Sequence, residues 1–145
     1  MRVQAPNVIF LVGLIAYVSI RGIFERRTRG IEKTVSRMDA RERILLLLVG
    51  VGSLLLPILY LFTPWLAFAD YRLPSPAAWC GTVILAFAIW LFWRSHADLG
   101  QNWSITLELR RGHQLVQHGV YRFVRHPMYS SIFLWDLAQG LLLQN

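Results

Sequence analysis

The residues of this chain best suited to chemistry lie between His113 and Tyr129, in the stretch HQLVQHGVYRFVRHPMY. Proline fixes its own φ and disfavours helix in the residue before it, so we expect His126 to be extended and Pro127 to open a helix. The free N–H groups and positive dipole end of that helix, beside the two arginines of the stretch, would suit a carboxylate or a phosphate. The alternative is a basic membrane-surface loop followed by an ordinary N-terminal proline.

Composition indicates where these residues are held. The chain has 145 residues, of which 55% are hydrophobic, and it carries six Trp. This is too apolar for a soluble domain of that size and predicts an integral membrane protein. The net charge of +7 comes from basic residues beside apolar segments, which favours anionic lipid headgroups over nucleic acid as partner. The single cysteine, Cys80, allows no disulfide framework within the chain.

The sequence therefore predicts an all-α membrane protein with about four transmembrane helices and a polar segment, 113–129, before the last. We expect one integral domain, 1–145, with spans at about 7–24, 44–69, 77–93 and 127–145. Segment 44–69 would rise about 39 Å, more than a hydrocarbon core of about 30 Å, so it must tilt, bend or break.

Local features within these spans give further expectations. Two prolines, Pro57 and Pro64, predict kinks in the second span. We interpret Gly50 and Gly52 as sites of close helix packing, because they lie inside an apolar run. A stripe of small residues in the third span predicts tight contact with a neighbouring helix, and it consists of Ala78, Thr82 and Ala86.

Loop charges predict the topology. Residues 21–43 hold eight Lys or Arg, and 94–125 hold five Arg against Asp98 and Glu108, so both loops are expected on the cytoplasmic side. The turn at 70–76 is expected outside, with an aromatic belt of Trp65, Tyr71 and Trp79. Within the second loop, residues 105–110 alternate between apolar and polar, which predicts a short extended or hairpin element.

Four polar residues are candidate metal ligands, and a fifth is a carboxylate in an apolar segment. The pairs His96 with Asp98 and His113 with His118 resemble metal ligands, but neither spacing completes a coordination shell, so no metal is expected. Asp136 is a carboxylate within an apolar helix, where such a group usually faces a cavity or a partner. A functional cavity and a structural hydrogen bond are both open for Asp136.

The pattern His-x-Leu-Val-x-x-Gly-x-Tyr from His113 to Tyr121, followed by Arg-His-Pro-x-Tyr from Arg125 to Tyr129, resembles the isoprenylcysteine carboxyl methyltransferase family and its bacterial relatives. The likeness begins at Leu99 and runs to the start of the last helix. Members are membrane enzymes that use S-adenosyl-L-methionine, so the resemblance implies that 113–129 binds this cofactor. Gly119 is expected to be a backbone requirement. The implied cofactor-binding residues are His113, Gln114, Leu115, Val116, Tyr121, His126, Pro127, Met128 and Tyr129.

The resemblance implies a methyltransferase acting on the carboxylate of a prenylated cysteine, or a similar hydrophobic acceptor, at the cytoplasmic face of the cell inner membrane. A carboxylate is already anionic near neutral pH, so no strong base is needed and no catalytic residue is assigned. One alternative is a phospholipid N-methyltransferase, whose amine acceptor must lose a proton. Another is a non-catalytic helical membrane scaffold.

The family places an Arg and a Glu pair on a helix beyond the Arg-His-Pro segment, and this chain stops at Asn145. We therefore expect the sequence to be a fragment. Without those residues the pocket would be open to water on one side, so the 145-residue chain alone is expected to show little or no turnover.

Overall fold

A computed structural model describes residues 4–28, 33–36, 39–100, 108–110 and 116–144. The elements are α1 (Ala5–Thr28), β1 (Lys33–Ser36), α2 (Ala40–Gly50), α3 (Leu56–Phe62), α4 (Ser75–Leu99), β2 (Glu108–Arg110) and α5 (Pro127–Leu143). Among the described residues, α1, Arg43–Phe62 and α4 are long and apolar enough to cross a membrane. The fourth apolar helix, α5, has 17 residues and rises about 26 Å. The predicted all-α membrane fold is confirmed, with two short strands added.

The packed core lies where α1 and α5 meet α4. A Cβ added at Gly81 would come within 2.9 Å of Leu141 Cβ, so α4 and α5 approach closely there. A Cβ at Gly13 would lie 2.8 Å from Leu85 Cδ2, which marks the close approach of α1 to α4. Trp135 of α5 is 2% exposed and fills the space between the three helices. The outward faces carry many exposed large apolar residues, as helices in lipid require.

Two packing predictions were wrong. A Cβ added at Gly50 or Gly52 meets no other atom within 4 Å, so these glycines do not mark a close helix contact. In α4 the predicted stripe of small residues is also misplaced, since Ala86 is exposed while Ala88 is buried at 1%. The tight face of α4 is set by where α1 and α5 lie against it, and spacing within one helix does not determine that direction.

The predicted distortion at Pro57 is confirmed and takes the form of a π-turn, Val51–Leu55, between α2 and α3. The Leu56 N–H donates to the Val51 carbonyl, five residues back, which takes it away from Gly52. Pro57 has no N–H to offer the Ser53 carbonyl. Two successive carbonyls, those of Gly52 and Ser53, therefore lose the partners that a regular α-helix would give them.

The second and third helical segments differ in length from the predicted spans. Pro64 does not kink a helix; instead α3 ends at Phe62, and Thr63 is extended at φ −131° and ψ 158°. The Thr63 hydroxyl donates to the Leu59 carbonyl at 2.7 Å and so completes the helix end. The segment is thus shorter than 44–69. By contrast, α4 is longer than 77–93, since it runs from Ser75 to Leu99.

The loops after α1 and α4 are joined by a two-stranded sheet. Strands β1 and β2 pair antiparallel, with Val35 opposite Leu109 and an irregularity next to Lys33. The extended element predicted at 105–110 is thus present at Glu108–Arg110, but its partner is the distant β1 rather than a local hairpin. Both loops therefore lie at the same end of the helices. Their position on the cytoplasmic side stays a prediction.

The other end of the molecule ties α5 to the turn between α3 and α4. The Tyr71 N–H donates to the Gln144 carbonyl at 2.9 Å, and the Tyr71 hydroxyl donates to the Gly140 carbonyl. The Leu73 N–H donates to the Gln144 side-chain oxygen at 3.3 Å. These bonds satisfy carbonyls that the end of α5 leaves open. They hold the helix at the end opposite the sheet.

Candidate functional site

The predicted site residues fall into two groups in the structure. His113, Gln114 and Leu115 lie outside the described residues. From Val116 onward the chain is described: a short 3-10 turn, Gly119–Arg122, is followed by a bend and then by α5. We call Gly119–Arg122 the motif turn. It packs on the end of α4, close to Asp98.

The Asp98 carboxylate holds the motif turn in place. One of its oxygens, Oδ2, accepts a hydrogen bond of 2.8 Å from the Val120 N–H. The other, Oδ1, lies 3.1 Å from Arg94 Nη2, one helical turn earlier on α4. The Asp98 side chain is only 5% exposed, so water competes little for these bonds. A charged group at the end of a membrane helix thus positions the start of the candidate site.

Gly119 makes this contact possible. Its φ is +60°, in the left-handed region that side-chain-bearing residues rarely adopt. A Cβ on Gly119 would lie 2.0 Å from Asp98 Oδ2, closer than any non-bonded atoms can come. The expectation that Gly119 serves the backbone therefore has a specific reason, which is the close approach of the Asp98 carboxylate.

Tyr121 is half-buried in the motif turn, and its pKa is raised to about 12 by burial first and by the negative charge of Asp98 second. The phenol is therefore neutral at physiological pH and keeps its proton as a hydrogen-bond donor. Such a group can contact a polar ligand without adding a charge to the site.

The Arg-His-Pro segment forms the start of α5. Pro127 is the first residue of the helix and is buried, as predicted. His126 lies outside the helical region at φ −129° and ψ 62°, although it is not fully extended. Its carbonyl accepts from the Ser130 N–H at 3.1 Å and from the Ser130 hydroxyl at 3.2 Å. The first turn of α5 is thereby fixed, with Met128 half-buried inside it.

Two site side chains of this segment face outward. The rings of His126 and Tyr129 are 5.9 Å apart, and both residues are exposed, Tyr129 by 73%. An imidazole and a phenol beside a helix start offer hydrogen bonds and an aromatic face to a ligand. The structure thus places His126 and Tyr129 side by side at the start of α5, while Tyr121 lies in the motif turn before it.

A cleft of about 520 Å³ opens between the ends of α1 and α4, at the same end as the motif turn. It is lined by Phe24, Arg27, Thr28, Trp93, Ala97 and Gly100. The Arg27 guanidinium lies 5.5 Å from the centre of the Phe24 ring, so the cleft has a cationic and aromatic wall. Its size is within the range of small-molecule sites. The contribution of α1 to this end was not predicted, because no sequence pattern indicates that the two helix ends meet.

Two of the four candidate metal ligands, His96 and Asp98, make other contacts, and His113 lies outside the described residues. His96 Nδ1 lies 2.8 Å from the Phe92 carbonyl of its own helix, and Asp98 is occupied by the motif turn. Asp98 was therefore missed as a positioning residue. The available signal was its spacing of four residues from Arg94, which predicts an ion pair on one helix face.

Asp136 takes part in a structural hydrogen bond, one of its two open alternatives. The Ser53 hydroxyl donates to Asp136 Oδ1 at 2.8 Å. Beside it, the Trp135 indole N–H donates to the Ser53 carbonyl at 3.3 Å, and the Gln139 amide donates to the Gly52 carbonyl at 3.2 Å. The two carbonyls released by the π-turn are thus satisfied from α5.

Fold and site together define a helical membrane protein that holds a polar His, Tyr and Arg-rich segment at one end of its helices. Comparison with known proteins shows a family likeness over part of the chain. A model of the isoprenylcysteine carboxyl methyltransferase (ICMT) family matches residues 79–145. This C-terminal part, which contains most of α4, the motif turn and α5, is therefore similar to the ICMT family.

Individual relatives carry the same name. The chain is 26% identical over 95 residues to the protein-S-isoprenylcysteine O-methyltransferase of Dictyostelium discoideum, a match that covers 64% of this chain and 40% of the relative. It is 42% identical over 48 residues to that of Schizosaccharomyces pombe, covering 32% and 20%. Enzyme A of Arabidopsis thaliana is 35% identical over 65 residues, covering 45% and 30%. The chain thus spans well under half the length of these curated relatives.

Proposed function

We propose that this chain forms part of an S-adenosyl-L-methionine-dependent methyltransferase that methylates the carboxylate of a prenylated cysteine, or of a similar hydrophobic acceptor, at the membrane interface. The observation that carries the proposal is the Asp98 contact, which fixes the motif turn against α4 directly before the Arg-His-Pro start of α5. The similarity of residues 79–145 to the family and the names of the relatives support the same reaction.

The described residues fit the cofactor in chemical type. S-adenosyl-L-methionine carries a sulfonium, an ammonium, a carboxylate and an adenine, and when bound it supplies an electrophilic methyl group. The exposed aromatic face of Tyr129 suits the cationic or adenine part, and the neutral hydroxyl of Tyr121 can donate to a polar part. The open N–H groups at the start of α5 suit the carboxylate.

The remaining proposed contacts follow from the resemblance. His113, Gln114 and Leu115 would continue the cofactor-binding segment on the N-terminal side of Val116, and Pro127 and Met128 would hold its C-terminal side. In this arrangement the chain binds and orients the cofactor, and no described residue has to act as a base, because a carboxylate acceptor is already anionic.

The position of the site suits a lipid-borne acceptor. The motif turn lies at the end of membrane helices, where a prenyl tail can stay in the lipid while its carboxylate reaches the polar segment. We place this end on the cytoplasmic side of the inner membrane, in line with the excess of Lys and Arg in the two loops that β1 and β2 join.

Cofactor binding tests the proposal most directly. The protein in lipid nanodiscs would be titrated with S-adenosyl-L-methionine by calorimetry, as wild type and as His126→Ala and Tyr129→Ala. Both side chains are exposed, so neither substitution should unfold the protein. The matched control is Phe123→Ala, because Phe123 is 83% exposed in the same segment but lies outside the proposed contacts. We expect about tenfold weaker binding for each site variant, the loss of roughly one hydrogen bond or ring contact, and no change for the control.

Turnover separates the acceptor classes. Methyl transfer from labelled S-adenosyl-L-methionine to a farnesylcysteine analogue and to phosphatidylethanolamine would be compared, using the 145-residue chain and a form extended to the length of its relatives. Transfer to the carboxylate by the extended form supports the proposal. Preference for the amine would identify a phospholipid methyltransferase instead. Absence of cofactor binding by both forms would leave the scaffold alternative.

A further inference from the structure

The π-turn and α5 form a polar cluster in the middle of the membrane-spanning region, away from the motif turn. Ser53 and Asp136 are joined by a hydrogen bond of 2.8 Å, and the Gln139 amide nitrogen bonds to the Gly52 carbonyl. Ser53 is buried, whereas Asp136 is exposed on the surface of α5. The Asp136 carboxylate is therefore accessible to any group that packs against this face of α5.

Each donor group of this cluster already makes a hydrogen bond within the protein, whereas two of its acceptor atoms remain open. The Ser53 hydroxyl, the Trp135 indole and the Gln139 amide each already donate within the protein. Within the described part of the chain, the buried Gln139 Oε1 has no hydrogen-bond partner. The second oxygen of the Asp136 carboxylate is also available as an acceptor. Of these acceptors, only the Asp136 carboxylate is at the surface, so a group that pairs with it must bring N–H donors and a positive charge.

The depth of Asp136 decides between possible occupants. It lies nine residues after Pro127 in a helix of 17 residues, so it is about 14 Å along an axis of about 26 Å. That position is close to the middle of the helix, beyond the reach of lipid headgroup amines at either surface. The occupant must therefore be a side chain of another membrane-spanning helix.

The surface around Asp136 suits such a helix. Asp136 shares one face of α5 with Phe133 and Leu137, which are 70% and 45% exposed. Across the π-turn, Ile44–Val49 of α2 are exposed at every position, so this helix also has no close neighbour within the described part of the chain. A second copy does not match the charge at this depth. Among the four apolar segments only 7–24 holds a Lys or Arg, and this residue, Arg21, lies about 24 Å along the roughly 36 Å of α1, towards the sheet end rather than in the middle.

We propose that the face of α5 carrying Asp136 is a docking site for a transmembrane helix with an arginine or lysine side chain at mid-bilayer depth. The basic group pairs with the exposed Asp136 carboxylate, while Phe133 and Leu137 pack against the apolar surface of the arriving helix. This contact uses none of the proposed cofactor-binding residues and does not require the chain to transfer methyl groups.

Association with synthetic helices tests the site. The exposed Cys80 would be labelled with a donor fluorophore, and the protein in lipid vesicles would be titrated with acceptor-labelled, leucine-rich transmembrane peptides. Three peptides differ only at the central residue, which is arginine, citrulline or leucine; citrulline keeps most of the shape and the N–H groups but not the charge. We expect the arginine helix to bind about tenfold more tightly than the leucine helix, with citrulline between them.

Variants separate charge from folding. Asp136→Asn can still accept from Ser53, so it should fold normally and lose the preference for arginine over citrulline. Asp136→Leu should bind all three peptides alike. Val83→Leu is the control, because Val83 is 68% exposed on α4 and should leave all affinities unchanged. Equal binding of the arginine and leucine helices to the wild type would overturn the proposal. So would an undiminished preference in Asp136→Asn, or displacement of the arginine helix by unlabelled protein.

Discussion

Substitution of Gly119 by alanine should release the motif turn from α4. The new Cβ would lie 2.0 Å from Asp98 Oδ2 and 2.3 Å from Asp98 Cγ, so the carboxylate has to move. Because this side chain is 5% exposed and is held by Arg94 and by the Val120 N–H, any movement that relieves the clash breaks the bond to Val120. The expected result is a motif turn that is no longer docked on α4.

The size of the effect follows from two contributions. A φ of +60° costs an alanine about 1–2 kcal/mol relative to glycine. Loss of a hydrogen bond to a buried charged group costs about 1.5–3 kcal/mol. Together these give about 2.5–5 kcal/mol against the docked state, or roughly two to three and a half orders of magnitude in its equilibrium constant.

Hydrogen exchange of the Val120 amide measures this equilibrium without any need for cofactor or activity. We expect Gly119→Ala to raise the exchange rate of this amide by the factor given above. A double-mutant cycle with Asp98→Ala isolates the clash: once the carboxylate is gone, the alanine should cost only the backbone contribution of about 1–2 kcal/mol. Gly22→Ala is the control, because a Cβ there meets no other atom within 4 Å. Equal costs of Gly119→Ala with and without Asp98 would refute the reasoning.

Three further predictions follow from the packing, the titration and the sheet. Gly81→Ala should lower the free energy of unfolding by about 1–3 kcal/mol, because the new Cβ would lie 2.9 Å from Leu141 Cβ of α5. Gly50→Ala places its Cβ in open space and should raise the free energy of unfolding by about 0.5–1 kcal/mol. Reversible unfolding in mixed micelles measures both changes. The pKa of Tyr121 is raised from 10.0 to about 12, so its neutral form stabilises the fold below pH 10, and this stabilisation is lost as the pH rises to about 12. In Tyr121→Phe the free energy of unfolding should not fall with pH through this range on account of residue 121. Cysteines replacing Val35 and Leu109, which pair across the sheet, should form a disulfide in a background without other cysteines; unchanged free thiol after oxidation would contradict the register.

Much of the fold could be predicted, because lipid requires long apolar helices with internal hydrogen bonds. Hydropathy located all four apolar segments, and Pro127 marked the start of α5 correctly. The ends of helices were less predictable. Thr63 ends α3 by bonding to the Leu59 carbonyl before Pro64 is reached, while α4 continues through polar residues to Leu99 because its last turns pack against the motif turn.

Contacts between residues far apart in the chain could not be predicted from the sequence. Pro57 predicted a distortion, but the partners of the released carbonyls, Trp135 and Gln139, come from another helix. The pairing of β1 with β2 joins loops that are far apart in sequence, and neither strand alone indicates its partner. The contact of Asp98 with Val120 likewise depends on how α4 meets the motif turn. The sequence of a single segment predicts which of its residues are apolar and where its helix bends. Contacts between segments depend on how the helices pack.

The rotation of α5 about its axis is determined by hydrogen bonds at three positions along the helix. The motif turn, held by Asp98, precedes its first residue; Ser53 bonds to its middle; and Tyr71 bonds near its end. These contacts fix the rotation of the helix about its axis, with Trp135 inward. The exposure of Tyr129 is therefore set by the whole helix, because the same rotation turns Asp136, seven residues later, to a similar face. The proposed cofactor contact and the proposed docking site lie on one continuous surface, so a helix that docks at Asp136 would also pass close to the edge of the cofactor site.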